Sequence, residues 1–399
     1  MRNLATVAGV AVLVVACSSS TPTALSPSAS PSATAHASPT ASAHAAIAPR
    51  ISWSQVVVDG AISDVIADRS RFVAVGGGTD GASAWTSQNG RSWVEHDVPE
   101  RSFGEVDEGI ELTASPETLV RLQNTLYAFG SMSFMDAVAG AGWRWTDDEA
   151  WQVIESGSPI FQGRVTAAAA DSEALVAATI SFTSGLFGSY TTWRWTPATS
   201  WTPTMLSSSE NQVLVVEAIA WSSGTFVAAG SSAAAVEGAE RWDWPPAPAL
   251  WTSPDGVDWT PSQLPAGLSH ICALGPSDDG FVAFGAELSD PAAWTSRDGA
   301  RWTRRPVDES DAPLAFGDID YDACKVLDIG EGLAVVATVA DGTLLWTSHD
   351  GEEWTFQERL PIKMTAAAAL DRRVVVAGLI RRSTDGETSQ PLLVGTVEP

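Results

Sequence analysis

One nine-residue pattern constrains the fold of this chain more than any other feature: a tryptophan, a turn and a second tryptophan at fixed spacing. It occurs four times, as WTSQNGRSW from Trp85, WTSPDGVDW from Trp251, WTSRDGARW from Trp294 and WTSHDGEEW from Trp346. Asn-Gly and Asp-Gly are favoured in tight hairpins, because the positive φ angles of such turns cost these residues little. Each copy therefore predicts an outer β-hairpin.

Seven further segments predict inner hairpins, each with an apolar strand, a polar turn and a second apolar strand. Examples are DVIADRSRFVAVG, AIAWSSGTFVAAG and CALGPSDDGFVAFG. The alanine runs near Ala167 and Ala366 favour helix by intrinsic propensity, but we predict strands there because the other five segments are strand-like. An inner hairpin joined to an outer one makes a unit of roughly 40 to 58 residues with four antiparallel strands, which is typical of a β-propeller blade.

The tryptophan of the outer strand counts the blades. Six tryptophans at this position mark six blades: Trp93, Trp151, Trp201, Trp259, Trp302 and Trp354. The C-terminal segment from Met364 to Val397 supplies three strands, whereas ISWSQVV at Ile51 resembles an outer strand with Trp53 as its tryptophan. We therefore predict an all-β fold: a seven-bladed β-propeller of four-stranded antiparallel blades. The N-terminal strand closes the last blade and removes two free sheet edges.

Chain length and net charge limit the architecture and the possible partners of this protein. At 399 residues with 45% hydrophobic content, the chain exceeds the size at which one continuous core keeps growing, so its core has to be subdivided. It carries 48 acidic and 22 basic residues, a net charge of -26 at pH 7. Such a surface repels nucleic acid phosphates and anionic lipid head groups, which argues against both as partners.

The N-terminal residues carry a targeting signal. Arg2 precedes the apolar stretch LATVAGVAVLVVA, which ends in VVAC at Cys17. This pattern resembles a bacterial lipoprotein signal with its lipobox. The resemblance implies that residues 1–16 are a signal peptide, and that Cys17 carries the lipid that anchors an extracytoplasmic protein to the cell membrane. An ordinary cleaved signal peptide followed by a stray cysteine is the alternative.

Residues 17–49 have the composition of a linker, since nearly all of them are Ser, Thr, Pro or Ala. Such a segment buries too little apolar surface to offset its ordering entropy, so we predict a disordered tether. The propeller is then predicted over residues 50–399.

The outer hairpins also resemble a known repeat. The segments SPDGVDW, SRDGARW and SHDGEEW are similar to the Asp-box, or BNR, repeat of sialidases and related secreted propellers. The usual Asp-box has one further residue between its Asp and Gly, which are adjacent here. In that family the Asp-boxes lie on outer hairpins away from the active site, so the resemblance implies a fold rather than a chemistry.

A sialidase would also need three arginines around the substrate carboxylate, a Tyr–Glu nucleophile pair and an acid/base Asp. The three tyrosines are Tyr127, Tyr190 and Tyr321, and Tyr127 lies in an apolar second strand, which predicts a core role. The chain also lacks a Gly-x-Ser-x-Gly elbow, a phosphate loop and a His-Glu-x-x-His motif. We therefore predict no catalytic residue and no cofactor, and keep a sialidase-like exo-glycosidase as an alternative.

One acidic run is a candidate metal site. DIDYD places Asp318, Asp320 and Asp322 on one side of an extended strand, so their carboxylates are candidate calcium ligands. It lacks the glycine and the downstream glutamate of a calcium loop, so we favour a solvated loop without a metal.

Two cysteines occupy matching positions. Cys272 and Cys324 each lie nine residues before the residue that opens the second strand of an inner hairpin, Phe281 and Leu333. They therefore belong to inner strands of neighbouring blades. Because paired thiols outside the cytoplasm are prone to oxidise, we predict a disulfide between them.

Binding is expected on one face of the ring. The loops between second and third strands and the joins between blades open on one face, the loop face, and the Asp-Gly turns open on the other, the turn face. Long loops place five aromatic residues in one sector of the loop face: Phe134, Phe187, Tyr190, Trp242 and Trp244. Trp242 and Trp244 precede two prolines, and a stiff aromatic loop suits stacking on a sugar or packing against a protein. The alternative is that both tryptophans cover a blade edge.

These features together predict a lipid-anchored propeller that acts as a non-catalytic binding or scaffolding module of the cell envelope. Its ligand would be a protein or a glycan on the loop face. The alternatives are the exo-glycosidase already named and an assembly factor for another envelope protein.

Overall fold

The computed structural model describes residues 48–398 apart from 79–80, 100–112, 135–136, 146–149, 155–158, 182–188, 205, 207–211, 235–246, 289, 309–318 and 382–387. These ranges contain 29 β-strands and a short 3-10 helix at Pro159–Gln162. The strands form seven antiparallel sheets, which are the blades.

The chain enters the ring through β1 (Ile51–Val57), and six blades of four consecutive strands follow, each ordered from inner to outer strand. Blade 1 has β2 (Ala61–Asp68), β3 (Arg71–Gly77), β4 (Ala82–Ser87) and β5 (Val94–Asp97). Blade 2 has β6 (Thr113–Leu122), β7 (Thr125–Phe134), β8 (Ala137–Trp145) and β9 (Trp151–Val153). Blade 3 has β10 (Arg164–Ala170), β11 (Leu175–Ser181), β12 (Ser189–Trp195) and β13 (Thr202–Thr204).

The next three blades repeat the same order. Blade 4 has β14 (Gln212–Ser222), β15 (Thr225–Ala234), β16 (Ala247–Ser253) and β17 (Thr260–Pro261). Blade 5 has β18 (Leu268–Ser277), β19 (Gly280–Glu287), β20 (Asp290–Ser296) and β21 (Thr303–Arg305). Blade 6 has β22 (Ile319–Asp328), β23 (Leu333–Val339), β24 (Gly342–Ser348) and β25 (Thr355–Leu360).

Blade 7 joins the two ends of the chain, as predicted. It contains β26 (Lys363–Leu370), β27 (Arg373–Arg381), β28 (Thr388–Ser389) and β29 (Pro391–Val397). Its sheet order is β26-β27-β29-β1, and β28 pairs separately with β27. Strand β1 runs antiparallel to β29 from Ile51 opposite Val397 to Val57 opposite Pro391. The prediction of a seven-bladed ring closed by the N-terminal strand is confirmed.

The core is divided among the interfaces between blades. Seven apolar clusters each draw side chains from two adjacent blades, because one face of every blade packs on the next. Between blades 7 and 1, for example, Phe72 and Trp85 pack with Val375 and Val394. The alanine runs are strands, as predicted, and Ala366 is fully buried in this same interface.

The outer hairpins are longer than a two-residue turn. In blade 5 the loop between β20 and β21 is closed by the Asp298 side chain, whose Oδ1 accepts from the amides of Ala300 and Arg301 at 3.0 Å each. Trp302 Nε1 donates to the carbonyl oxygen of Gly299 at 2.9 Å. This bond holds the tryptophan inside the loop, so β21 starts one residue after it. Strand β9 starts at its tryptophan, and β1 contains Trp53 as its third residue.

The turn glycines fix each outer hairpin to its neighbour. Gly299 has a φ of 69°, and a Cβ added there would lie 2.4 Å from Cγ2 of Val227 in blade 4. Gly256 has a φ of 74° and meets Val176 of blade 3 in the same way. The repeated nonamer is therefore a structural contact between blades.

A β-bulge interrupts the inner strand of each blade. In six blades the ladder skips one residue at the equivalent position, and these bulge residues are Ser63, Glu117, Thr166, Glu217, Cys272 and Thr365. Blade 5 also skips Ser269. In blade 6 the irregular stretch lies between Ile319 and Cys324. The bulge brings the inner strand against the second strand, where five blades have glycine: Gly76, Gly130, Gly230, Gly285 and Gly378. A Cβ at Gly76 would lie 1.8 Å from the carbonyl oxygen of Ala61.

Two adjacent glycines of β3 test this constraint. We expect Gly76→Ala to lower the free energy of unfolding by about 1–3 kcal/mol, because the backbone has to move to admit the methyl group. Gly77→Ala is the matched control, since a Cβ there meets nothing within 4 Å, and its effect should be neutral or stabilising by less than about 1 kcal/mol. Urea unfolding followed by tryptophan fluorescence measures both, and equal effects would contradict the assignment of the glycine to the bulge.

Candidate functional site

The axial ring is the set of seven residues at one equivalent position of the inner strands. Each lies nine residues before a buried apolar residue near the start of the second strand of its hairpin, as Ser63 does before Phe72. The members are Ser63, Glu117, Thr166, Glu217, Cys272, Cys324 and Thr365. Each inner strand contacts the inner strands of both adjacent blades, so these residues stand where the blades converge.

Several ring residues bond to the next blade. Thr365 Oγ1 donates to the carbonyl oxygen of Ile62 at 2.7 Å, from blade 7 to blade 1. Thr166 Oγ1 donates to the carbonyl oxygen of Val216 at 3.0 Å, from blade 3 to blade 4. Both carbonyls belong to the residue just before the next bulge, where the ladder is interrupted and an acceptor is open to a side chain.

Blades 5 and 6 are joined covalently at the same level. Cys272 and Cys324 form a disulfide with a Cα–Cα distance of 5.6 Å across a sequence separation of 52 residues. The predicted disulfide is present, and it takes the place that a threonine hydroxyl bond takes at two other junctions.

Blades 2 and 3 are joined by charge. Glu117 accepts from Ser131 Oγ at 2.9 Å and forms an ion pair with Arg164 Nε, which belongs to the first residue of β10. Glu117 is 19% exposed and Arg164 is 53% exposed. The carboxylate is thus held by two partners, and the arginine keeps one side open to water.

A second ion pair crosses the axial space. Asp64 is 4% exposed; its Oδ2 accepts from the amide of Leu119 at 2.8 Å, and its Oδ1 faces Lys325 Nζ at 3.4 Å. Asp64 belongs to blade 1 and Lys325 to blade 6, so the lysine passes blade 7 to reach it. Because Lys325 is 46% exposed, its side chain crosses at the solvent-facing axis and spans part of it.

His270 lies on β18, two residues before the disulfide. Burial lowers the pKa of His270 to about 4 from an ordinary value of 6.5. The imidazole is therefore neutral at pH 7 and supplies no charge to the axial region.

A groove of about 530 Å³ opens on the loop face where blade 7 meets blade 1. The join from β1 to β2 and the loop from β3 to β4 form its walls, with the amides of Gln55 and Gln390 and the carboxylate of Asp59 among its lining groups. Val57 at its edge is 78% exposed. The groove therefore offers an apolar side chain and several hydrogen-bonding groups to a ligand.

The predicted aromatic sector falls mostly outside the described residues. Phe187, Trp242 and Trp244 lie in undescribed loops. Phe134 ends β7 and Tyr190 is the second residue of β12, which places both at the loop-face ends of their strands. Cys17 also lies outside the described residues, and its lipidation stays a prediction.

The acidic run is partly a strand. Residues 319–322 belong to β22 and not to the solvated loop that we favoured, because the inner strand of blade 6 begins earlier than the pattern indicated. Asp320 and Asp322 thus lie on the strand, and Asp318 lies outside the described residues. Among the residues that the structure describes, no group of three potential metal ligands comes together.

Sequence reasoning identified the two ring cysteines but missed the ion pairs of Glu117 with Arg164 and of Asp64 with Lys325. The signal that finds Glu117 is the nine-residue spacing already used for the cysteines, extended to all seven hairpins. Tyr127, by contrast, was assigned correctly: it is 8% exposed, and burial raises its pKa.

Comparison with known proteins supports the fold. No family model and no curated protein matches the chain. Among solved structures, virginiamycin B lyase from Staphylococcus aureus is 10% identical with a TM-score of 0.54, covering 88% of this chain and 100% of that one. A PL25 ulvan lyase bound to -[GlcA(1-4)Rha3S]- is 10% identical with a TM-score of 0.53, covering 84% and 95%. YCF48 bound to D1 peptide is 14% identical with a TM-score of 0.48, covering 88% and 98%.

These comparisons define a class and not a family. The chain is a seven-bladed β-propeller, and its structural neighbours include enzymes that act as lyases. In the described part of the chain, no helix is long and apolar enough to cross a membrane.

The buried His270 predicts a pH dependence of stability. The unfolded chain binds a proton at this residue below about pH 6.5, while the folded chain resists it until about pH 4. Stability is therefore retained above pH 6.5 and is lost as the pH falls between these values. Between pH 7 and pH 5 we expect His270→Gln to lose about 1–2 kcal/mol less free energy of unfolding than the native chain does. Urea titrations at the two pH values measure this difference, and parallel losses would contradict the buried neutral state.

Proposed function

We propose that the protein is a lipid-anchored, extracytoplasmic propeller that acts as a non-catalytic binding or scaffolding module of the cell envelope. The observation that carries this proposal is the use of polar groups near the axis. Glu117 is paired with Arg164, Asp64 with Lys325, and Cys272 with Cys324. Side chains that tie blades together stabilise a rigid support, and they are poorly placed to move protons during a reaction.

The ligand surface is proposed on the loop face. The groove beside Val57 supports this choice, since it combines an exposed apolar side chain with amide and carboxylate groups. Phe134 and Tyr190 stand at the loop-face ends of their strands, and the sequence predicts that Phe187, Trp242 and Trp244 belong to loops of the same face. A protein or a glycan would fit such a surface, because aromatic rings pack against both.

The structure of the outer hairpins supports the interpretation of the nonamers as an Asp-box-like repeat. Asp255 and Asp298 each accept two backbone amides of their own turn, and the turn glycines pack on the preceding blade. We propose that the nonamers are a shortened form of that repeat. They would then serve the fold, which agrees with a ligand site on the opposite face.

Enzymatic activity is the proposal's main rival, because lyases share this fold at a TM-score above 0.5. A structural similarity at 10% sequence identity supports a shared fold and does not support a shared activity. Turnover of a sialoside or of a polysaccharide by the purified chain would overturn the non-catalytic assignment.

The loop-face proposal predicts loss of binding in one double variant. Trp242→Ala with Trp244→Ala should abolish capture of the envelope partner or glycan in a pull-down with the full chain, because truncating aromatic anchors typically costs about 2 kcal/mol or more each. Val257→Ala is the matched control, since Val257 is an exposed residue on the turn face of the same blade. Unchanged melting temperatures should accompany both, and retained capture by the double variant would remove this loop from the site.

The proposed lipid anchor on Cys17 predicts that a variant without this cysteine leaves the membrane. Cys17→Ser should move the protein from the membrane fraction to the soluble fraction, because both the lipid and its attachment point are lost. Ser18→Ala should leave the protein on the membrane. Fractionation and mass analysis of the N-terminal peptide measure the effect, and a Cys17→Ser protein that stays on the membrane would disprove the anchor.

A further inference from the structure

The outer hairpin of blade 5 concentrates positive charge in an acidic protein. Four of the 22 basic residues of the chain lie within nine positions of it: Arg297, Arg301, Arg304 and Arg305. The net charge of the chain is -26. A basic patch on an acidic surface is a candidate binding site, because it attracts ligands that the rest of the surface repels.

The other nonamers show that the turn itself does not require these arginines. The position of Arg297 holds Gln88 in blade 1, Pro254 in blade 4 and His349 in blade 6. The position of Arg301 holds Ser92, Asp258 and Glu353 in the same three blades. All four turns are nevertheless closed by an Asn or Asp side chain that accepts a backbone amide. The arginines of blade 5 are therefore additional to the needs of the fold.

Three of these arginines, Arg297, Arg301 and Arg305, border a groove of about 350 Å³ between the outer hairpins of blades 5 and 6. The groove lies on the turn face, because it is lined by the turn of the inner hairpin of blade 5 and by both outer turns. Its walls carry guanidinium groups and hydroxyls, including Ser277, Thr295 and Thr303, together with carboxylates such as Asp279 and Asp350. The lining therefore contains both hydrogen-bond donors and acceptors.

Two of the three arginines in the groove already have partners. Arg301 makes a two-pronged contact with Asp298 Oδ2, at 3.1 Å from Nε and 2.8 Å from the terminal nitrogen. Arg305 pairs with Glu352 across the groove, and its Nε donates to Thr295 Oγ1 at 2.8 Å. These partners engage Arg301 and Arg305 on the walls of the groove.

Arg297 is the cation that the groove leaves available. It is exposed, and no carboxylate of the described residues forms an ion pair with it. Its backbone is held by close packing, because a Cβ at Gly280 would lie 2.7 Å from the Arg297 Cα. A fixed backbone with an unpaired guanidinium presents a planar donor fork to a ligand oxyanion.

The chemistry of the walls selects the kind of anion. Asp279, Asp350 and Glu352 stand beside Arg297, so a polyanion or an anionic membrane surface would be repelled. A sugar hydroxyl both donates and accepts hydrogen bonds, and it matches walls that offer both roles. We propose that this groove binds an acidic saccharide, with Arg297 holding the carboxylate of one sugar residue and the paired side chains holding its hydroxyls.

Binding of a defined probe to the full chain tests the proposal. Isothermal titration calorimetry should show binding of galacturonate, which carries one carboxylate, and at least about tenfold weaker binding of neutral galactose. Arg297→Gln places the blade 1 residue in blade 5, so the turn should fold normally. It should raise the Kd for galacturonate by about 10- to 100-fold. The control Arg91→Gln alters an exposed arginine on the outer hairpin of blade 1 and should leave the Kd unchanged.

Three results would overturn the proposal. Absence of galacturonate binding would remove the saccharide site, and an unchanged Kd for Arg297→Gln would remove the role of this residue. Equal binding of inorganic phosphate would indicate a simple oxyanion site that does not select a sugar. The inference does not rest on the proposed function, because the groove and the loop-face surface lie on opposite faces. The Trp242 and Trp244 double variant should bind galacturonate as the native chain does.

Discussion

The bulge in the inner strand is the constraint on which the rest of this structure depends. Seven strands that converge on one axis are crowded, and a bulge turns each strand so that it can pack against both neighbours. The extra residue leaves the ladder, which frees a backbone carbonyl and directs a side chain towards the next blade. Thr365 and Thr166 use this arrangement to bond to Ile62 and Val216 of the following blades. The disulfide, the ion pair of Glu117 and the glycines opposite the bulges all follow from the same local geometry.

Much of the architecture could be predicted from the sequence, because its repeats are local. The nonamers, the seven inner hairpins and the lone strand at Ile51 each depend on residues close together in the chain, and they predict the blade count and its closure. The structure of the turns was less accessible. An Asp side chain that accepts two amides lengthens the loop beyond a two-residue turn, and the dipeptide alone does not show this.

The ion pairs near the axis were beyond sequence reasoning for a physical reason. Asp64 and Lys325 are 261 residues apart, and their contact depends on the curvature of the whole ring. The pairing of the two cysteines could be predicted because a propeller cysteine has only one other cysteine with which to form a disulfide. An aspartate, by contrast, has many arginines and lysines with which it could form an ion pair. The groove on blade 5 was equally hidden: its arginines stand in a motif that marks the fold, and only the comparison of four equivalent turns separates what the fold needs from what it does not.

The pairing of β1 with β29 also sets an order of events. Ile51 is made early, but its partner Val397 is made more than three hundred residues later, so the last blade can form only when nearly the whole chain is present. Contacts this distant in sequence are slow to form and lose more chain entropy on closure. Until then β1 is an unpaired strand and β2 lacks its neighbour β26. The ring is thus a late product of folding, and a chain interrupted before its last strand would expose apolar surface at two blade interfaces.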